Sequence, residues 1–169
     1  MWYFFIENDK INGCGQCPCI TEGILNVEAT EEMTRNYVED SLLYVWDSKN
    51  EEIIENPDYI EQKAAERKNL FLQDFFEVEG YGYYRRIPKG YQSAVESMNA
   101  LFNIANVNKG VQAGLIIFYS EPDFTDPEQC TEKWLVAHQI VEPSMSLEEF
   151  MQLYVAFMTA WNTQEHIDL

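Results

Sequence analysis

NPDYIEQKAAERKNLFLQDFF, residues 56–76, is the stretch that divides this chain into parts. Asn56 is a favourable N-cap and Pro57 suits the first helical position, so a helix is predicted to start here. The first half of the stretch is charged on all sides. The second half carries large apolar residues that include Leu70, Phe71, Phe75 and Phe76. A helix that is polar at one end and aromatic at the other suits a connector between two modules.

Residues 1–55 are predicted to form a small β-rich module with one helix. Aromatic and β-branched residues predict strands at residues 2–6, 20–27, 42–46 and 53–54. Thr30 precedes two glutamates, which is typical of a capped helix start. Residues 12–18, rich in glycine and cysteine, are predicted to be irregular.

Residues 77–169 are predicted to form an α+β domain with its own core. Strands are expected at residues 81–87, 114–119 and 132–141, and a turn at residues 88–90. A helix ending near Gly110 follows that turn, with the apolar stripe Tyr91, Ala94, Val95, Met98, Leu101, Phe102 and Ala105. Ser146 and Glu149 form a capping box before an amphipathic terminal helix. The predicted fold class is therefore α+β, in three segments: 1–55, the connecting helix 56–76, and 77–169.

The strongest global signal is the charge. Eleven Lys and Arg residues stand against 29 Asp and Glu, for a formal net charge of −18. Such a chain repels phosphate backbones and anionic lipid, so neither nucleic acid nor a membrane is an expected partner. Two interpretations stay open: a solvated acidic surface, or a surface for basic partners that includes mimicry of DNA. The N-terminal residues lack the basic segment of a signal peptide, which indicates a cytoplasmic setting with reduced thiols.

The segment GCGQCPC, residues 13–19, contains three of the four cysteines. Zinc needs four ligands, usually in two pairs, and the second pair is missing here. A site built from Cys14, Cys17, Cys19 and Cys130 is the one zinc alternative. Dithiol redox chemistry is less favoured, because Pro18 and a strand-like run follow the pair instead of a helix. The simpler interpretation is a turn between the first two strands, with no cofactor.

Nothing in the sequence marks an active site. His138 lies on a predicted strand, His166 lies near the end, and neither stands beside a pattern typical of a nucleophile. No glycine-rich phosphate loop is present, and no pair of carboxylates stands out from the others. A non-enzymatic protein is therefore predicted, with no catalytic residue.

Arg85 and Arg86 stand out in an acidic chain, beside Tyr81, Tyr83 and Tyr84. Tyrosine and arginine are enriched at protein interfaces, although an internal acidic partner is the commoner use of such a pair of arginines. The aromatic N-terminus also suits an interface. The residues predicted to contact a partner are Trp2, Tyr3, Phe4, Tyr83, Tyr84 and Arg85.

The order of segments resembles small tail and tail-fibre-associated proteins of bacteriophages and prophages. The resemblance rests on an aromatic opening, "NVEATEEM", "YVWD" and "IIENPDYIEQKAAERK". From "YYRRIPKGYQSAVESMNALFNIA" to "EKWLVAHQIVEPSMSLEEFMQLYVAFMTAWN" the chain is similar to a domain of unknown function at the ends of phage tail proteins. The cysteine segment departs from that pattern, and the resemblance carries no catalytic residue.

The resemblance implies a structural or accessory protein of the virion, made in the host cytoplasm, at the tail, adaptor or fibre attachment site. Its partners would be other virion proteins, and homo-oligomerisation is expected because tail parts are symmetric. The alternatives are an acidic inhibitor or DNA mimic that acts on a nucleic-acid-binding host protein, and a small zinc-binding protein.

Overall fold

The computed structural model describes residues 1–87, 90 and 92–164. Pro88 and Lys89 of the predicted turn, Tyr91 of the predicted stripe, and His166 lie outside the described residues. The chain divides into two compact units, Met1–Lys63 and Ala64–Leu169. The division falls inside the helix predicted as a connector. The predicted α+β class is confirmed.

The first unit contains more strand than helix. It contains β1 (Trp2–Glu7), β2 (Lys10–Gly15), β3 (Leu25–Ala29), α1 (Glu31–Glu39), β4 (Tyr44–Asp47), β5 (Glu52–Glu55) and the start of α2 (Pro57–Asp74). Strand β1 lies between β2 and β3 in an antiparallel sheet, and β4 pairs with β5 in a separate hairpin. Alternation places Phe4 and Ile6 on the sheet face that joins the core with Tyr44. As predicted, Thr30 caps α1, because its hydroxyl accepts a hydrogen bond from Met33 N–H.

Three local predictions in this unit were wrong, and the smallest error is the strand expected over residues 42–46, which is β4 at Tyr44–Asp47. Residues 12–15 were expected to be irregular, but they belong to β2, which pairs with β1 across a bulge. Glycine is tolerated there because the ring of Phe5 covers both Gly13 and Gly15. A strand was also expected over residues 20–27, yet Ile20 is wholly exposed and β3 begins only at Leu25. The reason is that Asn26 bonds both the N–H and the carbonyl of Cys19, at 2.7 and 3.0 Å, and so holds the preceding residues as a loop.

The second unit contains a four-stranded sheet between helices. Its elements are β6 (Phe75–Val78), β7 (Gly82–Arg85), α3 (Ala94–Asn108), β8 (Gly110–Val111), β9 (Ile117–Tyr119), a 3₁₀ turn (Pro127–Cys130), α4 (Glu132–Ala137), β10 (Gln139–Val141), β11 (Met145–Ser146) and α5 (Leu147–Thr163). The strand order is β10-β9-β7-β6, all antiparallel, and β8 pairs with β11 separately.

Both faces of this sheet are covered. One face packs Phe76, Tyr84 and Phe118 against buried residues of α3 and α5. The other face packs Phe75, Tyr83 and Tyr119 against Phe71 of α2 and Leu135 of α4. The predicted capping box of α5 is confirmed, since Ser146 and Glu149 bond each other's backbone N–H groups.

Four predicted boundaries here were wrong, and one of them is the strand expected over residues 81–87, which covers only Gly82–Arg85. Helix α2 ends at Asp74, two residues early, because Phe75 and Phe76 point to opposite faces of the sheet as the first residues of β6. The strand expected over residues 114–119 covers only Ile117–Tyr119. The strand expected over residues 132–141 is helix α4 followed by the three-residue strand β10, because Thr131 caps the helix through Trp134 N–H. No helix in the described part of the chain is long and apolar enough to cross a membrane.

Candidate functional site: the Arg85 groove

A groove of about 490 Å³ opens in the second unit between α3, the sheet and α4. We name it the Arg85 groove. The residues that line it are Tyr84, Arg85, Ser97, Leu101, Ile104, Leu115, Ile117, Tyr119, Glu132, Val136 and Gln139. Tyr84 and Tyr119 belong to opposite faces of the sheet, yet both line the groove. The groove therefore lies where the sheet is incomplete.

The cause is a break in strand pairing. Strands β7 and β9 pair only at Tyr83 and Tyr119. Arg86 N–H donates to the carbonyl of Asp74 on the β6 side, and the N–H of Glu142, just after β10, donates to the carbonyl of Ile116. In a strand, the backbone N–H and C=O groups of successive residues point alternately to its two sides. Since Arg86 bonds toward β6 and Ile116 toward β10, the backbone groups of Arg85 and Ile117 face each other across the gap between β7 and β9. The next pair of the ladder would form there. That pair is not made, so the groove has a polar backbone edge as well as side chains.

Arg85 is held by aromatic rings and one carboxylate. Its guanidinium carbon lies 4.9 Å from the centroid of Phe75 and 5.2 Å from that of Tyr119. One terminal nitrogen donates to Glu132 at 2.6 Å, while Nε is buried and has no hydrogen-bond partner within the described residues. Burial is the largest single influence and acts to lower the pKa of Arg85, but the hydrogen bond to Glu132 and the charges of Tyr119, Glu132 and Asp74 together outweigh it, and the pKa is raised. The arginine therefore carries its charge under all ordinary conditions.

The remaining wall of the groove is aliphatic and accessible. Ile104 is 38% exposed, Leu115 48% and Val136 51%. Leu101 lies one helical turn before Ile104 and is buried. Exposed aliphatic side chains around one concave site are typical of a surface that binds another molecule.

The polar side chains of the groove are already used internally. Ser97 donates to the carbonyl of Ser93 at 3.0 Å, and Gln139 donates to the Tyr119 hydroxyl at 3.2 Å. Arg85 and Glu132 neutralise each other. The groove can therefore bind a molecule through its shape, its apolar area and its backbone groups. It presents neither an activated nucleophile nor a free acid.

Tyr83, beside the groove residues in sequence, points to the other side of β7 from Tyr84. It is 8% exposed, and its hydroxyl donates to Glu121 at 3.2 Å. Burial, followed by the charge of Glu121, raises the pKa of Tyr83 to about 12. This side chain is part of the core rather than a contact residue.

The predicted contact residues therefore separate into groups. Phe4 is fully buried and Tyr83 nearly so, which corrects their assignment as contact residues: both side chains are enclosed by their own cores. Tyr84 is also buried, at 5% exposure, but it lines the groove together with Arg85. Trp2 and Tyr3 are half-buried on β1 of the first unit. Arg85 binds Glu132, and Arg86 donates to the carbonyl of Leu72 at 3.2 Å. Both of the prominent arginines therefore have internal partners.

The cysteines occupy four different environments. Cys14 faces the first unit's core and donates to the carbonyl of Thr34 at 3.8 Å, and burial raises its pKa. Cys17 is exposed, and hydrogen bonds from Thr21 lower the pKa of Cys19. Cys130 belongs to the second unit, where its thiol donates to the carbonyl of Asp126. Among the residues with described positions, no three His, Cys, Asp or Glu side chains are arranged to hold a metal ion.

Sequence reasoning missed the aliphatic residues of the groove and Glu132. One signal was available for Ile104, which lies outside the apolar stripe predicted for its helix and so has no core position to fill. Val136 and Glu132 were hidden by the wrong prediction of a strand over residues 132–141. The missing strand pair between β7 and β9 involves residues far apart in the chain, so no local sequence pattern indicates it.

His138 also differs from its prediction. It caps the end of α4 instead of lying within a strand, and its ring stacks on Trp134 with centroids 3.9 Å apart. Its Nδ1 lies 2.8 Å from the carbonyl of Trp134. The histidine therefore has a structural role at the helix end.

Comparison of this chain with protein-family models, with curated proteins and with solved structures gave no match.

Proposed function

We propose that this chain is a non-enzymatic protein of a bacteriophage particle, at the tail, adaptor or fibre attachment site, and that it works by binding another particle protein in the Arg85 groove. The particle setting is supported by the resemblance in segment order alone. The binding role is supported by the single observation of an aliphatic, partly exposed groove at a break in the sheet.

The occupant that fits the groove is an extended protein segment with an aliphatic side chain. Such a side chain would cover Ile104, Leu115 and Val136, which water now contacts. The segment's own peptide groups would bond the unpaired backbone groups of Arg85 and Ile117, as an added strand does. A net charge of −18 favours a segment from a basic surface, since unlike charges speed encounter.

The state of the polar groups supports a role without catalysis. General acid or base chemistry needs a titratable group with access to a substrate and a suitable pKa. In the groove the two charged side chains are Arg85 and Glu132, and they bind each other at 2.6 Å. The groove's serine is committed to the carbonyl of Ser93.

The acidic inhibitor or DNA mimic is the second candidate, and the observation that favours it is the net charge of −18. Mimicry of a duplex calls for carboxylates concentrated on one face. Fourteen of the 29 acidic residues lie in residues 1–63 and fifteen in residues 64–169, so the charge is shared by both units. Both units are thus acidic, and the net charge is the one observation that favours mimicry, whereas the groove favours association.

The test combines particle composition with a groove variant. Mass spectrometry of purified particles is expected to detect the chain at a fixed ratio to the tail proteins. Ile104→Glu, which places a charge in the groove, should fold but be lost from particles. Val155→Glu is the matched control, because Val155 is 60% exposed on α5 and lies outside the groove. Absence of the unmodified chain from particles would overturn the particle setting, whereas normal incorporation of Ile104→Glu would overturn the groove.

A further inference from the structure

A second cavity in the second unit lies where α2 and α5 end beside β6. Its volume is about 430 Å³, and it shares no lining residue with the Arg85 groove. Leu72, Phe76 and Ala160 supply an apolar wall, and Arg86 and Gln164 supply polar side chains. We name it the Arg86 cavity. An apolar cavity of this size with a few polar groups is the usual form of a binding site.

Arg86 is a half-buried cation without an acidic partner among the described residues. Its Nε donates to the carbonyl of Leu72 at 3.2 Å, and its guanidinium carbon lies 5.8 Å from the centroid of Phe76. Burial lowers the pKa of Arg86 and no carboxylate offsets that effect, whereas Arg85 has Glu132 at 2.6 Å. Charges shielded from water are normally paired, so an arginine without a carboxylate is unexpected in a chain with 29 acidic residues.

Glu77 also lines the cavity, but its carboxylate does not neutralise Arg86. Glu77 stands opposite Tyr83 on β7, and its charge adds to burial and to the charge of Glu121 in raising the pKa of that tyrosine. Tyr83 belongs to one face of the sheet, whereas Arg86 packs on Phe76, which belongs to the other. The strand therefore separates the carboxylate from the guanidinium. The two terminal nitrogens of Arg86 have no protein partner within the described residues.

Gln164 adds an amide that makes no hydrogen bond. Its Nε2 and Oε1 are both shielded from water and without a partner, a state that only the Nε of Arg85 shares among the side chains of the described residues. Leaving a donor and an acceptor unpaired costs free energy. Turning the amide into the cavity gives up no hydrogen bond. It would then present one donor and one acceptor, the complement of a peptide group.

We propose that the Arg86 cavity binds the carboxyl-terminal end of another protein chain whose last residue is aliphatic. The two terminal nitrogens of Arg86 would donate to the two oxygens of the terminal carboxylate, as arginine does in its bidentate pairs. The aliphatic side chain would lie against Leu72, Phe76 and Ala160. The amide of Gln164 would bond the last peptide group.

A carboxyl terminus fits better than other anions because it brings all three groups together. Among the described residues that line the cavity, Arg86 is the single cation, which matches the one charge of a carboxylate rather than the nearly double charge of a phosphate monoester. An aspartate or glutamate side chain places its carboxylate on Arg86 but offers no aliphatic group to the wall. A fatty acid offers both, but has no peptide group for Gln164.

The net charge of −18 acts against any carboxylate at long range. Physiological salt screens that repulsion beyond about 8 Å, so contacts inside the cavity decide the affinity. General attraction to an acidic chain would favour a peptide whose terminus is capped as a neutral amide, since that peptide is the more positive one. Recognition by Arg86 predicts the opposite order.

The test is isothermal titration calorimetry of the purified full chain with acetyl-Lys-Gly-Leu at about 0.15 M salt. The peptide with a free carboxylate should bind once per chain, with a Kd of about 1 mM or below. The same peptide with a terminal amide should bind at least about tenfold more weakly. The acid 4-methylpentanoate has the carboxylate and the aliphatic group without the peptide group, and should bind about fivefold more weakly.

Arg86→Gln should weaken the carboxylate peptide at least about tenfold. Arg35→Gln is the matched control, because it removes the same charge from an exposed side chain of the first unit, and it should leave the affinity unchanged. Gln164→Leu covers the case in which Arg86→Gln fails to fold. It removes two polar atoms that have no partner, so it should keep or raise the urea midpoint of unfolding while weakening the peptide about fivefold.

Three results would overturn the proposal. They are the lack of saturable binding by the carboxylate peptide, an amide-terminated peptide that binds as tightly, and equal losses from Arg86→Gln and Arg35→Gln. Equal affinity for 4-methylpentanoate, or an unchanged affinity in Gln164→Leu, would overturn a protein terminus as the occupant. The proposal goes beyond the proposed function and is tested on the purified chain, so its outcome is independent of the particle setting and of the Arg85 groove.

Discussion

The guanidinium of Arg85 bonds the Glu132 carboxylate at 2.6 Å and lies over the ring of Phe75, 4.9 Å from its centroid. The Glu132 side chain is 62% exposed and that of Arg85 only 27%, so the ring contacts are better shielded from water than the ion pair. Glu132→Gln is expected to cost less than about 1 kcal/mol of unfolding free energy. Arg85→Ala should cost about 1–3 kcal/mol, because it also removes packing on two rings.

Arg85→Lys separates these contributions. Lysine keeps the charge but cannot lie flat on a ring, so its cost should fall between those of the other two variants. Urea denaturation of all three gives the order. A cost for Glu132→Gln equal to that of Arg85→Ala would mean that the ion pair, not ring packing, is the main stabilising contact.

Tyr83 should make the stability of the second unit sensitive to high pH. Its pKa is raised to about 12 from 10.0, first by burial and then by Glu121. The folded state therefore holds the proton more tightly, so the contribution is fully present below pH 10 and is lost as the pH rises from about 10 to 12. Tyr83→Phe cannot ionise and should lose less unfolding free energy between pH 9 and pH 11 than the unmodified chain.

Glu121→Gln tests the order of the two causes. Burial is the larger one, so this variant should lower the pKa of Tyr83 only part of the way to 10. Absorbance at 295 nm, with Tyr83→Phe as the difference reference, measures that titration. A Tyr83 that titrates near 10 in the unmodified chain would show that the hydroxyl is not buried in solution.

Local signals were enough to predict the helices that carry their own caps. Ser146 and Glu149 stand three residues apart before apolar residues at helical spacing, and α5 runs from Leu147 to Thr163. Thr30 gave the start of α1 in the same way. Each capping interaction joins residues within one helical turn, so the residues that make it are close together in the sequence.

Contacts between distant residues decided the rest. Residues 132–141 were predicted to be one strand, but packing of Leu135 among the rings of Phe71 and Phe75 favours a helix over the first six. The Arg85 groove joins residues 84 to 139 and exists because one strand pair is not made. No pattern in neighbouring residues records a missing pair, so the site could not be predicted.

Phe5 and Gly15 explain why glycine flanks Cys14 in GCGQCPC. A Cβ at Gly15 would lie 3.1 Å from Cζ of Phe5, and one at Gly13 3.5 Å from Cδ2, so the ring lies across both glycines. Gly15→Ala is expected to destabilise the first unit by about 1 kcal/mol through overpacking. Gly13→Ala, whose new contact is an ordinary one, should be neutral or slightly stabilising because alanine loses less entropy in a strand.

The rescue for this prediction is a smaller side chain at residue 5. Phe5→Leu combined with Gly15→Ala should cost less than the sum of the two single changes, as measured by urea denaturation. Equal costs for Gly13→Ala and Gly15→Ala would show that the ring does not discriminate between the two positions.

The thiols should differ in reactivity in the order that their surroundings dictate. Burial raises the pKa of Cys14 and Cys130, whereas hydrogen bonds from Thr21 lower the pKa of Cys19. Since the thiolate is the nucleophile, iodoacetamide at pH 7.5 should modify Cys19 well before Cys14 or Cys130. Thr21→Val removes the side-chain hydrogen bond and should slow Cys19 without changing Cys14. Timed peptide mass spectrometry measures all four rates in one sample, and equimolar zinc is expected to leave them unchanged. Joint protection of Cys14, Cys17, Cys19 and Cys130 by zinc would instead restore the four-thiolate site, because a ligand thiolate is withdrawn from alkylation when the metal binds it.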